Sequence, residues 1–213
     1  MQSWFRLGVF ALPCSGLLGT ISVLLPGVFI NPSVDPEGFA QASGSIGVGN
    51  MLGIVALVLW LVGIQALYAF LAGMSVGRWA PVALTFSFVG IGFFLPLAGI
   101  LAFAAPVAGR AYLNGDKNAI SLITDSIALS NPSALLFGGL SVLLFIVGSI
   151  IFGLVIWRCQ ALPRWAGITY AVAGTLSFLS APLYNFSIAL IGGLLLLISG
   201  GWISTSIIRR NKK

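Results

Sequence analysis

The feature that most constrains this sequence is the placement of its charged residues. All ten basic and all four acidic residues lie between long apolar runs or at the ends of the chain. The runs are long enough to cross a bilayer core of about 30 Å as helices, which takes roughly 20 residues. Charged residues make up 7% of the chain, whereas about a quarter is usual in soluble proteins. We therefore expect an all-α, polytopic transmembrane helical bundle, with residues 1–213 forming a single integral-membrane domain.

The apolar runs predict six membrane-spanning helices. Residues 165–208 carry no charge, and as one helix they would measure about 66 Å, roughly twice the bilayer core. We expect this run to fold back at the segment that starts with Pro182. The six predicted spans are about 7–30, 47–71, 81–108, 133–157, 165–182 and 186–208.

The basic residues predict the orientation. With the N-terminus in the cytoplasm, eight of the ten basic residues fall on the cytoplasmic side, and only Arg110 and Lys117 fall on the other. This is the positive-inside bias of membrane proteins. We expect a cell-membrane protein with both termini cytoplasmic and with residues 209–213 as a basic cytoplasmic tail.

A secretory signal peptide is the alternative for the first apolar run. Arg6 precedes the run, and Ala-Gln-Ala at residues 40–42 has the form of a cleavage site. The run is long for a signal peptide, however, and the site lies well past its end. We therefore expect the first helix to be retained.

Two segments share a pattern that suggests internal repetition. Arg-Trp-Ala occurs at residues 78–80 and 164–166, and Pro96 and Pro182 each follow eighteen residues after the arginine. Repeated parallel helical hairpins would produce this pattern. Basic-aromatic helix starts and prolines are also common in membrane helices, so both explanations stay open. Pro96 and Pro182 are the candidates for helix kinks.

Residues 109–131 form a polar connection between the third and fourth spans, on the predicted outer side. Ile120, Ile123 and Ile127 recur at helical spacing within it. The connection is therefore either a short amphipathic helix, which lies on the outer headgroups or caps the bundle, or an ordered loop.

The segment at residues 157–174 supports a resemblance. It reads Trp-Arg-Cys-Gln-Ala-Leu-Pro-Arg-Trp-Ala-Gly and continues into a helix rich in glycine and alanine. It resembles a segment of small uncharacterised bacterial six-helix multi-pass membrane proteins, in which a helix ends in arginine and Leu-Pro-Arg-Trp follows. The resemblance covers mainly residues 157–208. It implies the six-helix class and no activity or cofactor.

The residues that are missing exclude most chemistry. The chain has no histidine, which removes the usual general base and the commonest ligand for zinc or haem. No carboxylate or basic residue is expected at membrane depth, where a proton- or ion-coupled transporter needs one. We predict no catalytic residue, no metal site and no cofactor. The net charge of +6 comes mostly from residues that flank the spans, so it does not predict nucleic-acid binding.

Polar residues within the spans are the remaining candidates for function. They are Asn50, Gln65, Tyr68, Tyr170 and Asn185. A polar group in hydrocarbon needs a hydrogen-bond partner, so we expect each to face the bundle interior. Each either pairs with another helix or contacts a ligand. Asn50 and Asn185 are expected near the same face of the membrane, in a shared network.

These patterns favour a non-enzymatic integral membrane protein, acting as an accessory, assembly or lipid-contacting component. Its expected partners are membrane lipids, together with a membrane-protein partner or a second copy of the chain. One alternative is a passive or facilitated transporter of a small neutral or hydrophobic solute. Another is a lipid-modifying enzyme that uses Asp116 or Asp125.

Overall fold

The computed structural model describes residues 3–74, 77–128 and 130–210, and within these ranges it is helical with no strand. The tail residues Lys212 and Lys213 lie outside the described residues. A 3-10 turn, Gly77–Trp79, precedes α3, and a π-helical segment, Ile100–Ala104, joins α3 and α4 into one continuous helix. The helices are α1 (Ser3–Leu24), α2 (Pro36–Ala72), α3 (Ala80–Gly99), α4 (Ala105–Leu113), α5 (Ala119–Ile127), α6 (Pro132–Arg158), α7 (Arg164–Ser180) and α8 (Phe186–Arg210).

Four of these helices are long and apolar enough to cross a membrane. They are α2, the continuous α3–α4 helix, α6 and α8. The apolar part of α1, Gly8–Leu24, is shorter, and α7 has only 17 residues and begins with a charged side chain. Each of the six predicted spans therefore corresponds to a helix, but only four of those helices have both the length and the composition of a span.

The predicted bounds hold best for α6 and α8 and least well for α2. That helix begins at Pro36 instead of residue 47, because Asp35 caps it by accepting a 2.8 Å hydrogen bond from the Gly38 N–H. Proline in the first turn adds to this start signal. The first helix ends at Leu24, short of residue 30, since a proline follows and the chain turns at Gly27 with a φ of 85°.

Six helices form a closed ring. Each helix contacts the next in the order α1, α2, α3, α6, α7, α8, and α8 contacts α1. The start of α1 and the end of α8 lie at one end of this ring, which we call the termini end. The short helix α5 lies at the opposite end, which we call the α5 end.

Close backbone approaches hold neighbouring helices together. A Cβ on Gly153 of α6 would lie 2.7 Å from the carbonyl oxygen of Gly167 in α7, and a Cβ on Gly200 of α8 would lie 2.7 Å from the Pro13 nitrogen in α1. Hydroxyl groups add interhelical hydrogen bonds, such as Ser204 to the Val9 carbonyl at 2.7 Å. Small residues and hydroxyls are the usual means of helix association where hydrophobic burial supplies no driving force.

The connection at 109–131 is largely helical, with α4 continuing into it and α5 inside it. Ile120 and Ile123 of α5 are buried in a cluster that includes Phe39 and Ile46 from the start of α2. Leu122 on the opposite face is 69% exposed. An amphipathic α5 thus covers the part of α2 that extends beyond the end of α1.

The two prolines of the suggested repeat occupy different structural positions. Pro96 lies inside α3, and that helix continues through the π segment to Leu113. Pro182 lies in the turn that follows α7. The two segments are therefore not structurally equivalent at their prolines, although regular α-helical hydrogen bonding ends close to each proline.

Charged side chains mark the two ends of the ring. Exposed tryptophans accompany the arginines at the termini end, where Trp157 and Trp165 stand 6.4 Å apart between ring centroids. Indole rings beside basic groups are typical of a membrane interface. The described arginines at this end, all exposed, are Arg78, Arg158, Arg164, Arg209 and Arg210.

Candidate ligand cavity

A cavity of about 980 Å³ occupies the α5-end half of the ring. All six ring helices contribute to its wall, and the π segment does so through Leu101. Its volume lies at the upper end of the range for small-molecule sites, about 300–1,000 Å³. Most of the lining side chains are apolar.

The cavity is open on one flank because α7 is short. That helix has 17 residues against 27 in α6, which makes it about 15 Å shorter at 1.5 Å per residue. Its contacts with α6 include Phe178 on Phe145 and Gly167 on Gly153, both in the termini-end half of α6. Beyond Phe145, α6 continues toward the α5 end. There Leu135 and Leu143 line the cavity and are also 52% and 59% exposed.

Aromatic rings form the floor of the cavity. Trp60, Phe94 and Phe178 line it from three different helices. Phe178 stacks on Phe145 with ring centroids 3.9 Å apart, and Trp60 meets Phe145 edge to face at 4.8 Å. Such pairs add stability beyond their buried area. This interlocked cluster closes the cavity toward the termini end.

A buried hydrogen bond fixes the floor from below. The Trp60 indole N–H donates to the Tyr170 hydroxyl oxygen at 3.1 Å. Tyr170 is completely buried and also meets Phe152 edge to face. The bond satisfies the indole donor, which would otherwise be unpaired in an apolar core.

The mouth of the cavity, at the α5 end, carries uncharged polar groups. Asn31, Ser33, Asn50 and Tyr184 all line it. The Asn50 side-chain N–H donates to the Ile46 carbonyl at 2.9 Å, and no described group donates to its carbonyl oxygen. Burial raises the pKa of the Tyr184 hydroxyl above its ordinary value, so it stays protonated and can donate. None of the described charged residues lines the cavity.

The five predicted polar residues do not converge on one site. Asn50 lines the cavity, and Tyr170 lies beneath its floor. Tyr68 is half-buried against the core, whereas Gln65 is exposed, contrary to the expectation that it faces the interior. Asn185 is exposed and caps α8, since its side-chain oxygen accepts from the Ile188 N–H at 3.0 Å. Asn50 and Asn185 each bond within their own segments, so the expected network between them does not form.

The kink candidates both stand beside the cavity. Pro182 lines it directly. Pro96 precedes the π segment, whose first N–H, that of Ile100, points to the carbonyls of Pro96 and Leu97. A π segment widens the helix locally, and such segments are frequent at functional sites.

The aromatic floor was missed by sequence reasoning. Trp60, Phe94 and Phe178 stand in three separate apolar runs, and nothing in those runs distinguishes them from lipid-facing aromatics. The available signal concerned the open flank instead. The predicted spans 133–157 and 165–182 differ in length, which implies a shorter wall on the side of the fifth span.

The acidic and cysteine side chains among the described residues are scattered. No three of their histidine, cysteine, aspartate or glutamate side chains come together. Asp116 and Asp125 are exposed at the α5 end, and neither lines the cavity. What the cavity can do is enclose an apolar molecule.

Comparison with protein-family models, with curated proteins and with solved structures finds no match to this chain. The functional argument therefore depends on the geometry.

Proposed function

We propose that all six ring helices cross a cell membrane, with both termini in the cytoplasm and α5 outside. The contacts support this because α1 and α7 are full members of the ring, each packed between two neighbours. The exposed arginines and tryptophans at the termini end support the orientation through the positive-inside bias. The turn after α7 then lies toward the outer side, where Pro182 and Tyr184 line the cavity.

We further propose that the protein is a non-enzymatic, lipid-contacting component that takes up one apolar or amphiphilic molecule from the outer half of the bilayer. The open flank carries this proposal. Leu135 and Leu143 belong at once to the cavity wall and to the exposed surface of α6. In a membrane that surface faces acyl chains, so a hydrophobic molecule reaches the cavity without crossing water.

Filling the cavity is favourable for a molecule already dissolved in the membrane. An empty space of this size leaves the wall side chains without contacts on one side, and a bound chain restores them. Water is a poor occupant of the deep part, because Trp60, Phe94 and Phe178 offer no free hydrogen-bonding group there once the Trp60 N–H is paired.

Two matched glycine substitutions test the proposal. A side chain on Gly139 enters the open flank, since Gly139 lines the cavity and nothing lies within 4 Å of its Cβ position. Gly92 of α3 also has open space at its Cβ position, but it lies outside the cavity. Native mass spectrometry from mild detergent should show bound lipid on the wild type and on Gly92→Phe. Gly139→Phe should lower the occupancy roughly tenfold, because about 1.4 kcal/mol of overpacking corresponds to that factor.

Equal occupancy in the three proteins would contradict lipid binding in the cavity. So would a wild type from which no lipid is recovered.

A second function, passive or facilitated transport of a small neutral or hydrophobic solute, is favoured by one observation. The cavity is closed toward the termini end by aromatic rings in mutual contact, and its polar mouth lies at the α5 end. A transporter whose binding site faces one side of the membrane has this arrangement. If transport occurs, uptake of the solute into proteoliposomes should rise in Trp60→Ala, which removes part of the floor. If uptake by the wild type and by Trp60→Ala equals that of empty liposomes, transport is excluded and lipid binding remains as the proposed function.

A further inference from the structure

We propose that the occupant of the cavity is an uncharged long-chain amphiphile that carries a hydroxyl head group. Its head lies between Asn50 and Tyr184, and its chain points to Trp60. This inference rests on the lipid-binding function proposed above and specifies the chemical class and orientation of the ligand.

The cavity is polar at one end and apolar at the other. Asn50 and Trp60 both line it from α2, and their separation of ten positions corresponds to about 15 Å along the helix. Around Asn50 the lining includes hydroxyl and amide groups. Around Trp60 it is mainly aromatic and aliphatic; Ser15 also lines the cavity there, but its hydroxyl is paired with the Ala56 carbonyl at 2.7 Å. A molecule with one polar end and one long apolar end matches this gradient in only one direction, with its chain toward the floor.

The mouth selects a head group without charge. The described arginines, lysines and carboxylates lie outside the lining, so an ionised head would lose hydration and find no counter-charge. Burying such a charge costs far more than burying a hydroxyl that keeps its hydrogen bonds.

The hydrogen-bonding groups at the mouth fit a hydroxyl in particular. One N–H of the Asn50 amide is engaged with Ile46, and its side-chain oxygen accepts from no described group, so this oxygen can accept from a ligand. The Tyr184 phenol stays protonated and supplies a donor. A hydroxyl can donate to the first and accept from the second, whereas an ether or a ketone can only accept.

Quenching of Trp60 fluorescence by brominated chains tests the orientation. Among the described residues, Trp60 is the only tryptophan that lines the cavity. A chain that is brominated near its middle or end therefore quenches Trp60 only when it is bound with its apolar end toward the floor. Three probes carry the same dibrominated chain: a monoacylglycerol, the ionised fatty acid, and the hydrocarbon without a head group. The signal is the difference in quenching between the wild type and Trp60→Phe. This subtraction removes the contribution of the other tryptophans.

The monoacylglycerol should bind roughly tenfold tighter than the ionised fatty acid, and tighter than the hydrocarbon. Tyr184→Phe and Asn50→Leu should each weaken monoacylglycerol binding by about 2- to 10-fold, the usual effect of one hydrogen bond. Neither variant should change hydrocarbon binding, and this also serves as the control for folding. Gly139→Phe should reduce quenching by every probe that binds.

The outcomes separate the two proposals. If all three probes bind equally, or if the fatty acid binds best, the hydroxyl-amphiphile inference is wrong and the lipid-binding function stands. The same holds if Tyr184→Phe and Asn50→Leu bind the monoacylglycerol as the wild type does. If no probe quenches Trp60, or if Gly139→Phe leaves quenching unchanged, the lipid-binding function fails and the inference fails with it.

Discussion

Trp60 of α2 donates its indole N–H to the hydroxyl of Tyr170 in α7, at 3.1 Å, across the middle of the ring. Tyr170 has no exposed surface, and Trp60 is only 3% exposed. The two helices are not neighbours in the ring, so this bond and the ring contacts around it link opposite walls. The pair separates the cavity on one side from the packed termini-end half on the other.

Removing this hydroxyl should destabilise the bundle. In Tyr170→Phe the indole N–H is left unpaired in an apolar core, at a cost of about 1 kcal/mol in lipid or detergent. Tyr68→Phe is the control, because Tyr68 is half-buried and no described group forms a hydrogen bond with its hydroxyl. Thermal unfolding in detergent should show a lower midpoint for Tyr170→Phe than for the control. Equal midpoints would mean that the bond contributes nothing to stability.

The approach of α6 to α7 should tolerate no added methyl group at Gly153. A Cβ there would lie 2.7 Å from the Gly167 carbonyl oxygen, which belongs to backbone that cannot rotate away. We expect Gly153→Ala to cost about 1–3 kcal/mol by overpacking. Gly139→Ala, on the same helix but with open space at its Cβ position, should be neutral or slightly stabilising. Denaturant titration of the two variants measures the difference, and a stable Gly153→Ala would contradict the close packing.

Two buried serines should respond to alanine in opposite directions. The Ser204 hydroxyl shares its hydrogen between the Val9 carbonyl of another helix at 2.7 Å and the Gly200 carbonyl of its own helix at 2.6 Å, so Ser204→Ala should lose about 0.6 kcal/mol. Ser149 is equally buried, but its hydroxyl has no partner among the described residues. Ser149→Ala removes an unsatisfied polar group and should stabilise the protein by about 1 kcal/mol. The check is the sign of each shift in the unfolding midpoint. A loss of stability in Ser149→Ala would show that its hydroxyl has a partner.

The distribution of charge allowed much of the fold to be predicted from the sequence. Arg158 ends α6 one residue from the predicted limit, because a charged side chain is costly in hydrocarbon. The early start of α2 was missed although its signal was present. Asp35 followed by proline is a helix start, but hydropathy gave this polar segment no weight.

The candidate site was harder to predict, since it depends on which helix faces meet. Gln65 and Tyr170 are both polar residues in apolar runs, yet one is exposed and the other is at the centre. None of the ring helices α1, α2, α3, α6, α7 and α8 has a polar face that indicates its orientation, because lipid and core are equally apolar. The cavity arises from the shortness of α7 relative to α6, a relation between two helices that only the assembled ring makes visible.

The central claim is that all six ring helices cross the membrane, and cysteine labelling in intact cells tests it most directly. Gln160 precedes α7 and Ser187 follows it at the start of α8. Both are exposed, so they lie on opposite sides only if α7 crosses. In a background with Cys14 and Cys159 replaced by alanine, a membrane-impermeant maleimide should label Ser187→Cys and Ser121→Cys in intact cells. It should label Gln160→Cys only after lysis. Labelling of Gln160→Cys and Ser187→Cys from the same side would contradict the account.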